Sequence, residues 1–186
     1  MTLLPFCEWL AGTSGSIELH ESLFMYPLLE STHVLTLCVF LGTAVMLDLR
    51  LMGLTMVRVP MSEIKSRLGP WMAAGFVVMV ITGSLLFYAI PIRSYQSIFF
   101  RIKVAALMLA GLNAFVFHST IDRRLAGWDR DPVPPRAARR AGARSLVLWA
   151  IIVVAGRMIA YNWFDCTRQP QSHIVNALAG CVVSPP

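Results

Sequence analysis

Apolar residues run through this chain in long charge-free stretches, separated by short connections rich in arginine. Residues 31–47 carry no charge between Glu30 and Asp48, and residues 71–90 carry none from Trp71 to Ile90. Residues 104–121 are uncharged up to Asp122, and residues 145–164 hold one charge, Arg157. A hydrocarbon core about 30 Å thick is crossed by about 20 apolar residues in helical form. Backbone groups in lipid must bond within their own segment, so each stretch predicts a helix. The pattern predicts an all-α protein, an integral membrane four-helix bundle with short amphipathic N-terminal segments. The expected spans are 29–48, 71–91, 101–120 and 145–164, within a single transmembrane domain over 1–186. Gly42, Gly75, Gly83, Gly111 and Gly156 fall inside the spans and permit close helix contact. Residues 1–28 form an outer amphipathic segment, with Pro27 expected to kink the entry to the first span. Residues 165–186 form an outer tail. Glu8 interrupts the first apolar run and no basic residues precede it, so the start is not expected to act as a cleavable signal.

Composition agrees with this reading. The chain is 56% hydrophobic and 14% charged, against roughly 45–50% and about 25% for soluble domains. That excludes an ordinary soluble domain and a disordered chain. The net charge of +6 comes mainly from arginines flanking the spans, which points to bilayer orientation and not to nucleic acid. Arg50, Arg58, Lys65 and Arg67 lie in the first connection. Arg123, Arg124, Arg130, Arg136, Arg139, Arg140 and Arg144 lie in the third. Both connections are therefore expected to face the cytoplasm, with both termini on the periplasmic side of a bacterial inner membrane. Trp9, Tyr26, Tyr88, Tyr95, Tyr161 and Trp163 then form an outer aromatic belt, with Trp71 at the inner interface. Residues 129–144, with Pro132, Pro134 and Pro135, read as a mobile basic loop serving orientation and anionic lipid.

On this topology Cys7, Cys166 and Cys181 face the oxidising side, where a Cys166–Cys181 bond would tie down the tail. Cys38 is buried in the first span. No C-x-x-C is present, which removes the signal for covalent haem or a zinc ribbon. The histidines are the stronger chemical lead. His33 lies about 5 Å inside the outer edge and His118 about 6 Å from the inner edge. Their depths differ by something near 20 Å in a core of about 30 Å, so they cannot share one metal. An outer site draws on His33 with His173 or His20. An inner site needs His118 with a weaker ligand such as Met46 or Met72. The alternative for each is an interfacial residue hydrogen-bonded within the bundle.

Arg157 lies well inside the fourth span, where a charge costs about 2.5–3.5 kcal/mol on insertion scales. It is expected to face the bundle with a partner. Tyr161 is one turn away on the same face. Glu30, His33, Lys103, Arg157 and Tyr161 are expected to converge on one outer cavity for an anion-bearing ligand. The competing reading is a structural Glu30–Arg157 pair with Lys103 snorkelling to the interface. Asp48 and Arg50 read as a local structural pair.

The segments PLLESTH (27–33), DLRLMG (48–53), GFVVMVITG (75–83), NAFVFH (113–118) and GRMIAY (156–161) resemble those of a bacterial four-span integral membrane family of unknown function. The resemblance covers roughly residues 20–165. It implies that Glu30, His33, Asp48, Arg50, Lys103, His118, Arg157 and Tyr161 belong to the family's pattern. His20 departs from that pattern, and His173 lies outside it. More loosely, the arrangement looks like small b-type cytochromes and the copper-resistance D membrane family, an analogy of fold.

The leading expectation is a membrane redox protein holding haem b near the outer leaflet. His33, Arg157, Lys103, Tyr161, Glu30, His118 and His173 are its candidate cofactor-binding residues, and His33 and His118 the candidate metal ligands. It would relay electrons between a quinone and a membrane or periplasmic redox partner. One alternative is uptake of a metal such as copper, or of a small solute: Met 10, Cys 4 and His 4 are copper-compatible, though scattered methionines usually serve packing. Another is a non-catalytic subunit of a larger complex or a homo-oligomer, using glycine faces. Nucleotide and hydrolase signatures are absent, and no catalytic residue is assigned.

Overall fold

A computed structural model describes residues 3–161, 163–167 and 169–181. Two short helices, α1 (Leu4–Ala11) and α2 (Ser14–Glu21), lead into α3 (Met25–Met52) and α4 (Met61–Ala89). A single turn, α5 (Pro91–Tyr95), precedes α6 (Ile98–Val116). That helix continues through a π turn, Phe117–Ile121, and a 3-10 turn, Asp122–Gly127. Helix α7 (Arg136–Met158) ends in a 3-10 turn, Ile159–Tyr161, and α8 (His173–Ala179) follows. The described residues contain no strand. Four segments are long and apolar enough to cross a bilayer: Met25–Met52, Met61–Ala89, Ile98–Gly127 and Arg136–Tyr161. The protein is an all-α, multi-pass membrane bundle.

The helices are longer than the charge-free stretches. With 28 residues, α3 rises about 42 Å at 1.5 Å per residue, well beyond a hydrocarbon core of about 30 Å. Charge marks where lipid ends, not where a helix must end. Pro27 sits in the first turn of α3, where its missing N–H has no helical partner to lose, so it starts the helix. Pro70 lies inside α4, which continues through it.

The chain forms two compact units. The terminal unit contains residues 1–33, 80–105 and 152–186. In it, Cys7 of α1 is buried and the Leu3 amide donates to the Tyr95 hydroxyl at 3.3 Å. The Thr13 and Tyr88 hydroxyls bond at 2.8 Å, and Ser16 donates to the Tyr88 carbonyl at 2.7 Å. Tyr88 and Tyr95 thus anchor the N-terminal helices, whereas Trp9, Tyr161 and Trp163 are exposed as an interfacial belt requires. A disulfide joins Cys166 to Cys181. Arg101 reaches back to this tail: it donates to the Ala179 carbonyl at 2.9 Å and the Tyr95 carbonyl at 3.2 Å, and lies over the Tyr95 ring.

The loop unit contains residues 34–79 and 106–151. Its core is Leu51, Met61, Phe117, Trp128, Ala138 and Ala141. At Gly142, α7 meets the α3 backbone so closely that a Cβ would stand 2.8 Å from the Asp48 carbonyl oxygen. The stretch expected to be a mobile basic loop is instead pinned. Asp129 accepts from the Ser62 amide at 2.6 Å and the Ser62 hydroxyl at 2.8 Å, capping the start of α4. Pro134 is buried against Gly53, whose φ of +74° suits a residue without a side chain. From Arg136 the chain is helical, because prolines stop at 135 and good helix formers follow.

Arg50 holds this end together. Its side chain is fully buried, donating to the Val59 carbonyl at 3.1 Å and the Asp131 carbonyl at 3.2 Å. Both connecting loops of the unit are thereby fastened to α3. Asp48 and Arg50 are both buried but make no ion pair among the described residues. Residues two apart on a helix do not face each other. Asp48 Oδ2 is buried without a hydrogen-bond partner among the described residues.

Hydrogen bonds to charged groups contribute about 1.5–3 kcal/mol each. Arg50→Met should therefore lower stability by at least that range in detergent melts, while Arg58→Gln, at an exposed position, should stay within about 0.5 kcal/mol. Equal melting of the two variants would refute the fastening role. The Ser62 donors hold the Asp129 carboxyl below the usual carboxylate range. Its contribution is then complete above the unfolded pKa of about 3.9 and lost as pH falls through the lower folded value. Melts at pH 6 and pH 3 should show Asp129→Ala less stable than wild type at pH 6, with the gap narrowing at pH 3.

Candidate functional site

In the terminal unit, polar side chains join α3 to α4 and bring α6 against α7. His33 of α3 bonds through Nδ1 to the Thr82 hydroxyl of α4 at 2.8 Å, and Thr82 is buried. The next residue, Gly83, leaves room for the imidazole: a Cβ there would be 3.3 Å from His33 Cε1. Lys103 of α6 lies over Gly156 of α7, where a Cβ would be 3.4 Å from Nζ. The two small residues let both side chains lie against helix backbones. Lys103 lies within electrostatic range of His33. Both residues are half-buried.

Lys103 is half-buried and has no counter-charge among the described residues. Ion pairs among the described residues join Lys65 to Asp122, Arg67 to Glu63 and His118 to Asp122. No hydrogen bond or ion pair is made by Lys103 Nζ among the described residues. A half-buried ammonium beside an imidazole already fixed at one nitrogen presents two groups to a ligand. If Nδ1 donates to Thr82, Nε2 carries a lone pair and can ligate a metal. If Nδ1 accepts, Nε2–H is a second donor for a carbonyl or carboxylate oxygen.

The other expected residues are placed elsewhere. Arg157 is exposed, with its guanidinium 5.3 Å from the Tyr161 ring centroid and a 3.4 Å bond to the Tyr161 hydroxyl. It does not pair with Glu30 among the described residues. The reason is its position: α7 begins at Arg136, and Arg157 stands one residue before its end, so its long stem can carry the charge outward. The Tyr161 and Trp163 rings meet tilted, with centroids 5.4 Å apart. Glu30 is exposed.

No hydrogen bond or ring contact joins His20 or His173 to His33 among the described residues. The His20 ring meets the edge of Tyr26 at 6.0 Å, and His173 opens α8 on the surface. In the loop unit His118 lies in the π turn and bonds Asp122 at 3.3 Å, where Lys65 also donates. Its Nδ1 faces this carboxylate, and its Nε2 remains. The described residues hold no group of three or more His, Cys, Asp or Glu able to bind a metal.

Thr82 and the two glycines were not singled out as site residues from the sequence. Their signal was available in the TG pair closing GFVVMVITG and in the glycine preceding Arg157.

A family model described as "Family of unknown function (DUF6644)" matches residues 12–162. No curated protein and no solved structure matches the chain.

Proposed function

We propose that this chain, which belongs to the DUF6644 family of unknown function, is a redox protein of the bacterial inner membrane whose ligand is haem b, held at His33, Thr82 and Lys103. The observation that carries this reading is the half-buried Lys103, without a carboxylate partner, beside an imidazole oriented by Thr82. His33 Nε2 would hold the iron, and Thr82 would fix the ring through Nδ1, as an outer-shell partner does for a metal-bound histidine. Lys103 neutralises a propionate. Haem b supplies one-electron chemistry when bound. Arg157 and Tyr161 form a separate exposed pair, so they lie on the approach of a partner and not on the ligand. No hydrogen bond or ring contact joins a second histidine to His33 among the described residues, so His33 would be the one histidine holding the iron. The distribution of arginines supports termini on the periplasmic side, which sets the ligand in the periplasmic leaflet for exchange with a quinone and a redox partner.

A quinone bound directly at the site is the second reading. It is favoured by the single histidine, because a quinone carbonyl needs only two donors, Nε2–H and the Lys103 ammonium, and no ligand pair.

The absorption spectrum of the purified protein, before and after haem addition, separates these readings. The expected result is a Soret band of a haem with one histidine ligand, lost in His33→Ala. Thr82→Val should weaken haem retention by about 10–100-fold, the usual cost of removing such a partner, and Lys103→Met should weaken it while leaving the fold intact. Absence of a Soret band after reconstitution refutes the haem reading. Solvent extraction then decides the second, since a quinone recovered from wild type but not from Lys103→Met supports it. Recovery of neither ligand overturns both.

A further inference from the structure

The basic start of α7 borders a cavity of about 330 Å³ lined by Met52, Leu54, Arg136, Arg139, Arg140 and Ala143. The three arginines recur at helical spacing, so their side chains share one face. The first turn of α7 contains no acidic residue, and none of the three arginines forms an ion pair among the described residues. This arrangement opposes the helix dipole, whose N-terminal end is positive and is stabilised by anions. Three cations gathered there repel one another and the dipole unless an anion joins them.

The rest of the cavity narrows the choice of anion. Met52 is the last residue of one candidate span and Arg136 the first of another, which sets the cavity at the level of lipid headgroups. Its opposite wall is apolar, and Leu54 is 63% exposed. A small hydrophilic phosphate has no use for that wall. A phospholipid uses both parts, with its phosphate on the guanidiniums and its first acyl carbons on Leu54 and Met52. Guanidinium groups suit this role because their planar donors match phosphate oxygens in pairs.

We propose that this cavity is a specific site for the phosphate headgroup of an anionic phospholipid. The proposal is independent of any ligand at His33 and Lys103, since it uses none of those residues.

Full-length protein, stripped of lipid in mild detergent, is titrated with phosphatidylglycerol and followed by native mass spectrometry and thermal shift. The expected result is one tightly retained lipid per chain, with affinity falling at least tenfold when Arg136, Arg139 and Arg140 are all changed to Gln. Arg123→Gln with Arg124→Gln removes charge outside the cavity and should leave that affinity unchanged. Leu54→Asn keeps every guanidinium and should weaken lipid retention as well. If the triple variant fails to fold, Arg139→Gln alone should still lower affinity measurably. Equal losses from the cavity and control variants would reduce the effect to net charge and overturn the proposal. So would displacement of the lipid by millimolar inorganic phosphate, which would assign the site to a free anion, and so would Leu54→Asn or Arg139→Gln binding as wild type.

Discussion

Hydrocarbon offers no hydrogen bonds, so each backbone amide and carbonyl crossing it must be paired within its own helix. This constraint makes the four spans helical whatever their detailed sequence, and it pushes the remaining polar chemistry to the helix ends and to a few buried positions. There the backbone again supplies the solution. Arg50 and Arg101 are cations turned away from solvent, and both donate to main-chain carbonyls of connecting segments. An arginine can satisfy several carbonyls at once because its donors are fixed in a planar fork. Each therefore converts a loop or tail into a fastened part of its unit.

Lys103 is the contrast. It is also half-buried, but its compact ammonium lies across Gly156 with no carbonyl or carboxylate partner among the described residues. A cation that the fold leaves unsatisfied is costly in a low-dielectric setting. Beside it, His33 has one ring nitrogen committed to Thr82 and one remaining. Arg50 and Arg101 each find two main-chain carbonyls, although Arg50 Nη1 is left without a partner; Lys103 finds none among the described residues. In the loop unit the guanidiniums at the start of α7 also lack counter-charges, but they are exposed and stand at the dipole's positive end. The two places differ in kind: one presents donors within a span, the other guanidiniums lining a cavity beside apolar side chains.

The fold class and the number of spans were legible in the sequence, because continuous apolar runs have one structural outcome in lipid. Span ends were less legible. Residues 49–52 and 136–144 are helical beyond the expected boundaries, since charge reports the edge of hydrocarbon and helix propensity continues past it. The triple proline before Arg136 suggested mobility, yet Pro134 is buried on Gly53 and Asp129 caps α4. Those contacts join segments far apart in sequence, and local composition carries no trace of them. Asp48 and Arg50 looked like a pair because they are opposite charges two residues apart, but helix geometry points them at different neighbours.

From the amino-acid order alone came an all-α membrane bundle, its arginine-weighted connections, and a short list of ionisable residues within or near the spans. These follow from solvation, which acts on each residue separately. Tertiary structure decided how that list divides. It bonded His33 to Thr82 and laid Lys103 on Gly156, set Arg157 on Tyr161 at the surface, and tied His118 to Asp122. Depth along a helix can be counted from sequence, but the direction a side chain takes depends on which helix packs against it. That depends on where a glycine such as Gly83 or Gly156 lets a neighbour approach.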